Sequence, residues 1–130
     1  MQQRVRRFPR VRSEHPALVR LLGGEPLEEF ARTRVVGIGG CMFLADEPLG
    51  YGSLLEVLIS LEGRVVRTDA RVVYEIPRQD LRHEVGVEFL RVSNGDRALL
   101  ASLVARKAAQ EPSPRYSRGA PAPSGRTGGA

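Results

Sequence analysis

The sequence lacks most of the features that mark secreted, membrane-spanning and disulfide-rich proteins. Among its 130 residues there are one cysteine, two histidines and no tryptophan. A single cysteine cannot form an internal disulfide framework, which is compatible with a reducing compartment. No apolar stretch approaches the roughly 20 residues that span a bilayer, and no apolar segment of the signal-peptide kind follows the basic N-terminus. The sequence therefore predicts a cytoplasmic protein without membrane insertion.

The few reactive side chains are not spaced for catalysis or metal binding. A zinc site needs three or four N, O or S ligands in register, and neither His15 nor His83 has such partners nearby in sequence. Cys41 lies in an apolar run, which favours a small core residue over a nucleophile. The segment Gly37–Gly40 contains no lysine and precedes no helix, so it does not match a phosphate-binding loop. The sequence predicts that the protein is not an enzyme and has no metal site or cofactor.

The net charge of +5 is unevenly distributed. Residues 1–12 carry five arginines and no acid, whereas the charges of residues 13–109 sum to −2 and those of residues 110–130 to +2. A basic arm attracts phosphate groups on nucleic acids, membrane surfaces or nucleotides, although a solvated and poorly ordered terminus is the alternative. The last segment has almost no large apolar side chains, which predicts disorder. We therefore expect a basic arm over 1–12, a folded domain over 13–109 and a disordered tail over 110–130.

Between the two ends the pattern is mostly that of β-strands separated by short turns. In the segment that starts at Phe30, the side chains of Ala31, Thr33 and Val35 are expected on the face opposite to those of Arg32 and Arg34. The expected strands cover Ala17–Leu22, Phe30–Val36, Cys41–Leu44, Leu54–Leu61, Val65–Tyr74 and Val85–Val92. Six strands without interleaved helices predict a closed antiparallel barrel, because closure removes unpaired edges.

One helix is expected after the last strand. Ser93 or Asn94 can cap its N-terminus, and Asp96 lies in its first turn near the positive end of the helix dipole. Leu99 and Leu103 share one side of this helix, with Leu100 and Val104 beside them. Such an apolar stripe can cover an open end of the barrel.

Three local motifs occupy defined places in this pattern. Arg6 and Arg10 form an RxxxR motif ahead of the first strand, a glycine-rich segment ends at Gly40, and Val85–Leu90 precedes the capped helix. This arrangement resembles the PilZ domain family over about residues 4 to 108. The resemblance implies a mainly all-β protein, a six-stranded antiparallel PilZ-like β-barrel with one C-terminal α-helix, that binds the bacterial second messenger cyclic di-GMP. Arginine suits this ligand, since a guanidinium group bonds phosphate or the guanine Hoogsteen edge and stacks on a base.

The resemblance also implies a set of ligand-binding positions. The family's second motif consists of Asp or Asn, then Ser two residues later, then Gly three residues further. With that glycine placed on Gly40, Val35 and Gly37 occupy the acidic and serine positions. For the glycines of this segment, a barrel corner or a bulge is the alternative role. The implied ligand-binding residues are Arg6, Arg7, Arg10, Val35, Gly37, Gly39 and Gly40.

Two functions are compatible with these motifs. The first is a cyclic di-GMP receptor whose ligand orders the N-terminal arm and thereby signals to an unidentified protein partner. The second is a degenerate PilZ-like interaction adaptor that no longer binds the nucleotide. Single-stranded nucleic-acid binding would require exposed aromatic side chains alternating with positive charges on strands. Because Phe30, Phe43 and Phe89 are all expected in the core, a nucleic-acid partner is the disfavoured alternative.

Overall fold

The computed structural model describes residues 9–24 and 26–110, which form seven strands and one helix. The predicted arginines Arg6 and Arg7, the rest of the arm before Pro9 and the tail from residue 111 lie outside the described residues. The elements are β1 (Arg10–Arg12), β2 (Pro16–Leu21), β3 (Glu28–Gly37), β4 (Gly40–Ala45), β5 (Leu54–Leu61), β6 (Arg64–Pro77), β7 (His83–Arg91) and α1 (Asn94–Gln110).

Six of the strands form a closed antiparallel barrel, as the sequence predicted. The order around the barrel is β3, β2, β5, β6, β7 and β4, and the pairing of β4 with β3 closes it. The short strand β1 is a seventh strand, and it pairs with the last three residues of β3, at positions 35–37. The strand β1 was not predicted from the sequence, because two of its three residues are arginines and only Val11 is apolar.

The barrel interior is filled by the inward positions of the strands. In β5 the alternating residues Leu55, Val57, Ile59 and Leu61 are all 0% exposed. This strict period of two is the signature of a strand with one buried face. The strand turns into β6 at Glu62–Gly63, where φ is +52° and +86°. Positive φ at both positions is the geometry that joins two strands through a two-residue hairpin.

Helix α1 packs against β1 and β3 and closes one end of the barrel. Its buried side chains are Leu100, Leu103 and Val104. The Ser93 Oγ accepts the Asp96 N–H at 3.1 Å, so Ser93 is the N-cap. No helix within residues 9–24 and 26–110 has the length and hydrophobicity needed to cross a membrane.

Candidate ligand-binding site

The RxxxR motif, called the first motif below, and the second motif, at positions 35–40, meet where β1 pairs with the end of β3. In this antiparallel pair Arg10 lies opposite Gly37, Val11 opposite Val36, and Arg12 opposite Val35. Val11 and Val36 are buried, at 3% and 0% exposure. Because directly opposite residues share a face of the sheet and adjacent residues alternate, Arg10, Arg12, Val35 and Gly37 lie on the outer face. The structure thus brings Arg10 of the first motif beside the second motif.

A β-bulge determines which residues of the second motif face outward. Between β3 and β4, Thr33 pairs with Phe43 and Val35 pairs with Met42, so Arg34 is an extra residue on β3. As a result, Thr33 and Val36 are buried whereas Val35 is only partly buried. The prediction that Val35 shares the inward face of Ala31 and Thr33 is wrong, because the bulge reverses the alternation at that point.

Gly37 allows the N-terminal arm to approach β3 closely. A Cβ added at this position would lie 2.9 Å from the carbonyl oxygen of Pro9 and 3.2 Å from Cγ of Arg10. The backbone of Gly37 does not have a positive φ. The missing side chain therefore provides space rather than an unusual backbone conformation, and the space is filled by the residues of the first motif.

Gly39 and Gly40 lie at the start of β4, against β7. The carbonyl oxygen of Gly39 accepts the N–H of Phe89 at 2.8 Å. Gly40 pairs with Glu88, and a Cβ on it would lie 2.2 Å from the carbonyl oxygen of Val87. Close packing of two backbones accounts for the glycine at position 40. A role of either glycine in ligand binding stays a prediction from the sequence.

The positive charge of Arg10 also acts on Cys41, a neighbouring residue in the barrel interior. Cys41 is fully buried, as predicted, and its burial raises the pKa of the thiol to about 12, while the nearby charge of Arg10 acts in the opposite direction. Burial dominates, so this cysteine stays a neutral thiol at physiological pH and does not act as a nucleophile. Within the described ranges, no three His, Cys, Asp or Glu side chains cluster in a way that could hold a metal ion.

A polar cluster of Ser13, His15 and Thr33, which was not predicted from the sequence, fixes the path of the chain from β1 to β2. The Ser13 hydroxyl contacts both Thr33 Oγ1 and His15 Nδ1, the latter at 2.6 Å, and the backbone N–H of His15 donates to Thr33 Oγ1 at 3.0 Å. Burial lowers the pKa of His15, Lys107 lowers it further and Glu62 opposes both. These bonds hold β1 in register with β3 and so support the position of Arg10.

The outer face of β3 upstream of the bulge differs from the sequence prediction. Phe30 is 84% exposed, whereas Phe43 is 1% exposed as expected and Phe89 is partly buried. The prediction that Phe30 belongs to the core is therefore wrong. Phe30 is in phase with Arg32 and Arg34, which are exposed on the same face. Its hydrophobicity suggested burial, but the strand's alternation places it with the arginines.

Comparisons with known proteins agree with this architecture. A family model described as "PilZ domain" matches residues 4–106. The inhibitor of motility MotI/DgrA of Bacillus subtilis superposes with a TM-score of 0.70 at 17% identity, over 85% of this chain and 55% of that one. The PilZ domain of YcgR from Escherichia coli, with cyclic di-GMP, gives 0.61 at 16% identity, over 82% and 94%.

A third structure is the cyclic di-GMP complex of MrkH from K. pneumonia, with a TM-score of 0.63 at 20% identity over 85% of this chain and 56% of that one. The chain thus spans about half the length of MotI/DgrA and MrkH but nearly all of the YcgR domain. No curated protein sequence matches the chain significantly. At these identities the structural likeness shows the fold.

Proposed function

Because this chain belongs to the PilZ domain family, we propose that it is a cyclic di-GMP receptor whose ligand binds at the junction of β1 and β3. PilZ domains are nucleotide-binding receptor and adaptor modules rather than enzymes. YcgR and MrkH are both represented by complexes with this dinucleotide. For this chain we also assign the ligand to named residues and link its binding to a protein partner.

The observation that supports the proposal most strongly is the pairing of Arg10 with Gly37. It places an arginine of the first motif on the outer face, directly beside the second motif. Arg6 and Arg7 precede this position by only a few residues and can reach the same surface. A cyclic dinucleotide presents two phosphates and two purine faces, and closely spaced guanidinium groups are suited to both. We assign phosphate and guanine contacts to these three arginines.

Val35 and Gly37 limit what the second motif contributes. The family pattern has a carboxylate or amide and a hydroxyl at these positions, whereas here the outward groups are a hydrocarbon and a hydrogen atom. Affinity would then depend on the arginines and on backbone groups from Val35 to Gly40. This replacement is also the observation that favours the second candidate function, an interaction adaptor that has kept the barrel and lost the nucleotide.

Ligand binding would act as a switch through the N-terminal arm. β1 has only three residues, and among the described residues β3 is its one strand partner. A dinucleotide held by Arg6, Arg7 and Arg10 would fasten the residues before β1 to the barrel and change the surface that a protein partner meets. We place this signalling in the cytoplasm, where a bacterial second messenger acts.

Calorimetric titration of the full chain with cyclic di-GMP tests the proposal. A charge-assisted hydrogen bond contributes roughly 1.5–3 kcal/mol, so Arg10→Ala should weaken binding by about ten- to a hundredfold. Arg71→Ala is the matched control, because it removes the same charge from the exposed outer face of β6, which β2 and β5 separate from β3. Melting temperatures of both variants exclude a loss caused by unfolding.

Two outcomes would overturn the proposal. Equal losses in the two variants would mean that the arginines act only through net charge. Absence of binding by the unsubstituted chain at ligand concentrations up to about 1 mM, the range of the weakest specific complexes, would instead select the adaptor that has lost the nucleotide.

A further inference from the structure

The outer face of β3 upstream of the bulge carries an aromatic side chain and arginines in one row. Phe30, Arg32 and Arg34 are all exposed and alternate with the inward residues Ala31 and Thr33. Alternate residues of a strand are about 6.7 Å apart. The row therefore presents an aromatic ring followed by two guanidinium groups at regular intervals on one surface.

The bulge extends this row toward the N-terminal arm. Arg34 is the extra residue, and bulges commonly redirect a side chain. Beyond it, Arg12 is exposed opposite Val35, and Arg10 lies opposite Gly37. From Phe30 to Gly37 the strand covers about 23 Å at its usual rise per residue. A continuous path of one ring and four arginines thus leads into the basic arm.

A groove of about 480 Å³ lies beside the ring. Its lining includes the guanidinium-bearing residues Arg32, Arg34 and Arg82, the acidic residues Glu29 and Asp46, and the apolar Leu44. Glu29 is engaged by the backbone N–H of Asp46, and Arg82 is paired with Asp80 at 3.0 Å.

The arginines of the row retain donors for a ligand. Arg32 uses one N–H on the carbonyl oxygen of Glu14, at 3.1 Å, and a guanidinium group has five. Within residues 9–24 and 26–110, the Arg34 side chain has no hydrogen bond or ion pair. An exposed and unpaired arginine next to an exposed ring is suited to a ligand that combines negative charge with a flat surface.

We propose that this row, Phe30–Arg32–Arg34 with Arg12 and Arg82, binds single-stranded nucleic acid. A base would stack on Phe30, and successive phosphates would pair with Arg32, Arg34 and Arg12. Small barrels bind single strands in this way, by aromatic stacking combined with a positively charged track, in sites of about 4–16 nucleotides. This proposal does not depend on cyclic di-GMP binding, because Phe30, Arg32 and Arg34 lie on β3 ahead of Gly37, which Arg10 faces, and only Arg12 lies between the two surfaces.

A single-stranded nucleic acid fits the row better than an acidic protein does. The central part of a protein interface contains several apolar and aromatic residues packed together. On the outer face of β3, Phe30 is the one large exposed hydrophobic side chain, and Leu18 opposite it is partly buried. One ring between charged groups provides little area for a protein but a complete platform for one base.

The test is the binding of a fluorescently labelled thymidine oligomer to the full chain, followed by anisotropy at about 50 and 200 mM salt. Phe30→Ala should weaken binding about tenfold or more, since stacking energies of single bases correspond to such factors. Phe30→Tyr should restore it. Tyr51→Ala removes another exposed aromatic side chain, 79% exposed before β5, and should have no effect. Because Phe30 is so exposed, its removal should leave the melting temperature unchanged.

The charged part of the row is tested in the same assay. Arg34→Ala should reduce the slope of log affinity against log salt by about 0.7, the value for one phosphate contact on a single strand. Arg71→Ala should leave the slope unchanged. Cyclic di-GMP affinity, measured separately, should be the same in Phe30→Ala as in the unsubstituted chain, so failure of one proposal is distinguished from failure of the other.

Three results would overturn the nucleic-acid proposal. The first is no oligomer binding at the lower salt concentration. The second is equal weakening by Phe30→Ala and Tyr51→Ala, which would leave only a general attraction of polyanions to the arm. The third is tighter binding of a glutamate–tyrosine copolymer than of the oligomer, lost in Phe30→Ala, which would assign the row to an acidic protein partner.

Discussion

The two halves of β3 present different chemistry on the same outer face of the barrel. Before the bulge, the outward residues are Glu28, which is paired with Arg20 at 2.8 Å, and then Phe30, Arg32 and Arg34, which are large and able to stack or bind phosphate. After it, the outward positions are Val35 and Gly37, one a hydrocarbon and the other without a side chain. In the downstream half the family pattern has polar side chains. Here the charge beside this half comes from Arg10 and Arg12 of β1.

The fold and the ligand chemistry therefore depend on separate positions of one strand. The inward residues Thr33 and Val36 are fully buried and maintain the core. The outward residues contribute little to that core, so their replacement changes what the surface binds while the barrel persists. A non-polar pair after the bulge and a row of one aromatic residue and two arginines before it are both compatible with the same architecture.

The largest effect that we predict distinguishes Gly40, at the start of β4, from Gly37, in the downstream half of β3. Gly40→Ala should destabilise the protein by about 3 kcal/mol and lower the melting temperature by at least about 10 °C, because its Cβ would collide with the β7 backbone. Gly37→Ala should cost under about 1 kcal/mol, because its Cβ would meet the carbonyl oxygen of Pro9, which is exposed, precedes β1 and can shift. Thermal unfolding of both variants measures the difference. Equal losses would show that the arm is as firmly packed as the barrel.

A smaller effect concerns the polar group missing at position 35. Val35→Asp should raise cyclic di-GMP affinity about tenfold, the value of one charged hydrogen bond. The outward orientation of Val35 opposite Arg12 gives the new carboxylate a cross-strand partner, so stability should be maintained. Adding Gly37→Ser should contribute less, since its Cβ must displace the carbonyl group of Pro9.

Val65→Asp is the matched control for this gain. Val65 is 59% exposed on β6, across the barrel from β3, and the same change there should leave affinity unchanged. Calorimetry and melting temperature are measured on the same samples. A folded Val35→Asp variant with unchanged or weaker binding would contradict the alignment of the second motif on Gly40.

Much of the fold was predictable because its signals are local. The predicted strand Leu54–Leu61 coincides with β5, since four alternating large apolar residues leave a single interpretation. The cap at Ser93 was one of two expected, and the apolar stripe of α1 faces the barrel as predicted. In both cases residues close in sequence determine the structure.

Two of the missed features depend on contacts between distant parts of the chain. The bulge at Arg34 is defined by the register of β4 against β3, which alternation within one strand does not contain. The meeting of Arg10 with Gly37 depends on β1, whose three residues have almost no strand signal.

Phe30 was wrongly assigned to the core, because the prediction relied on the hydrophobicity of its side chain and not on its place in the alternation of β3. Its position two and four residues before exposed arginines was the signal that could have placed it outside.

The most direct test of the site at the β1–β3 junction is a titration of ¹⁵N-labelled full-length protein with cyclic di-GMP, followed by amide chemical shifts. The largest changes are expected at Arg10, Val35 and Gly37, and almost none at the distant turn Glu62–Gly63. Changes centred on Phe30, or no changes at saturating ligand, would contradict it.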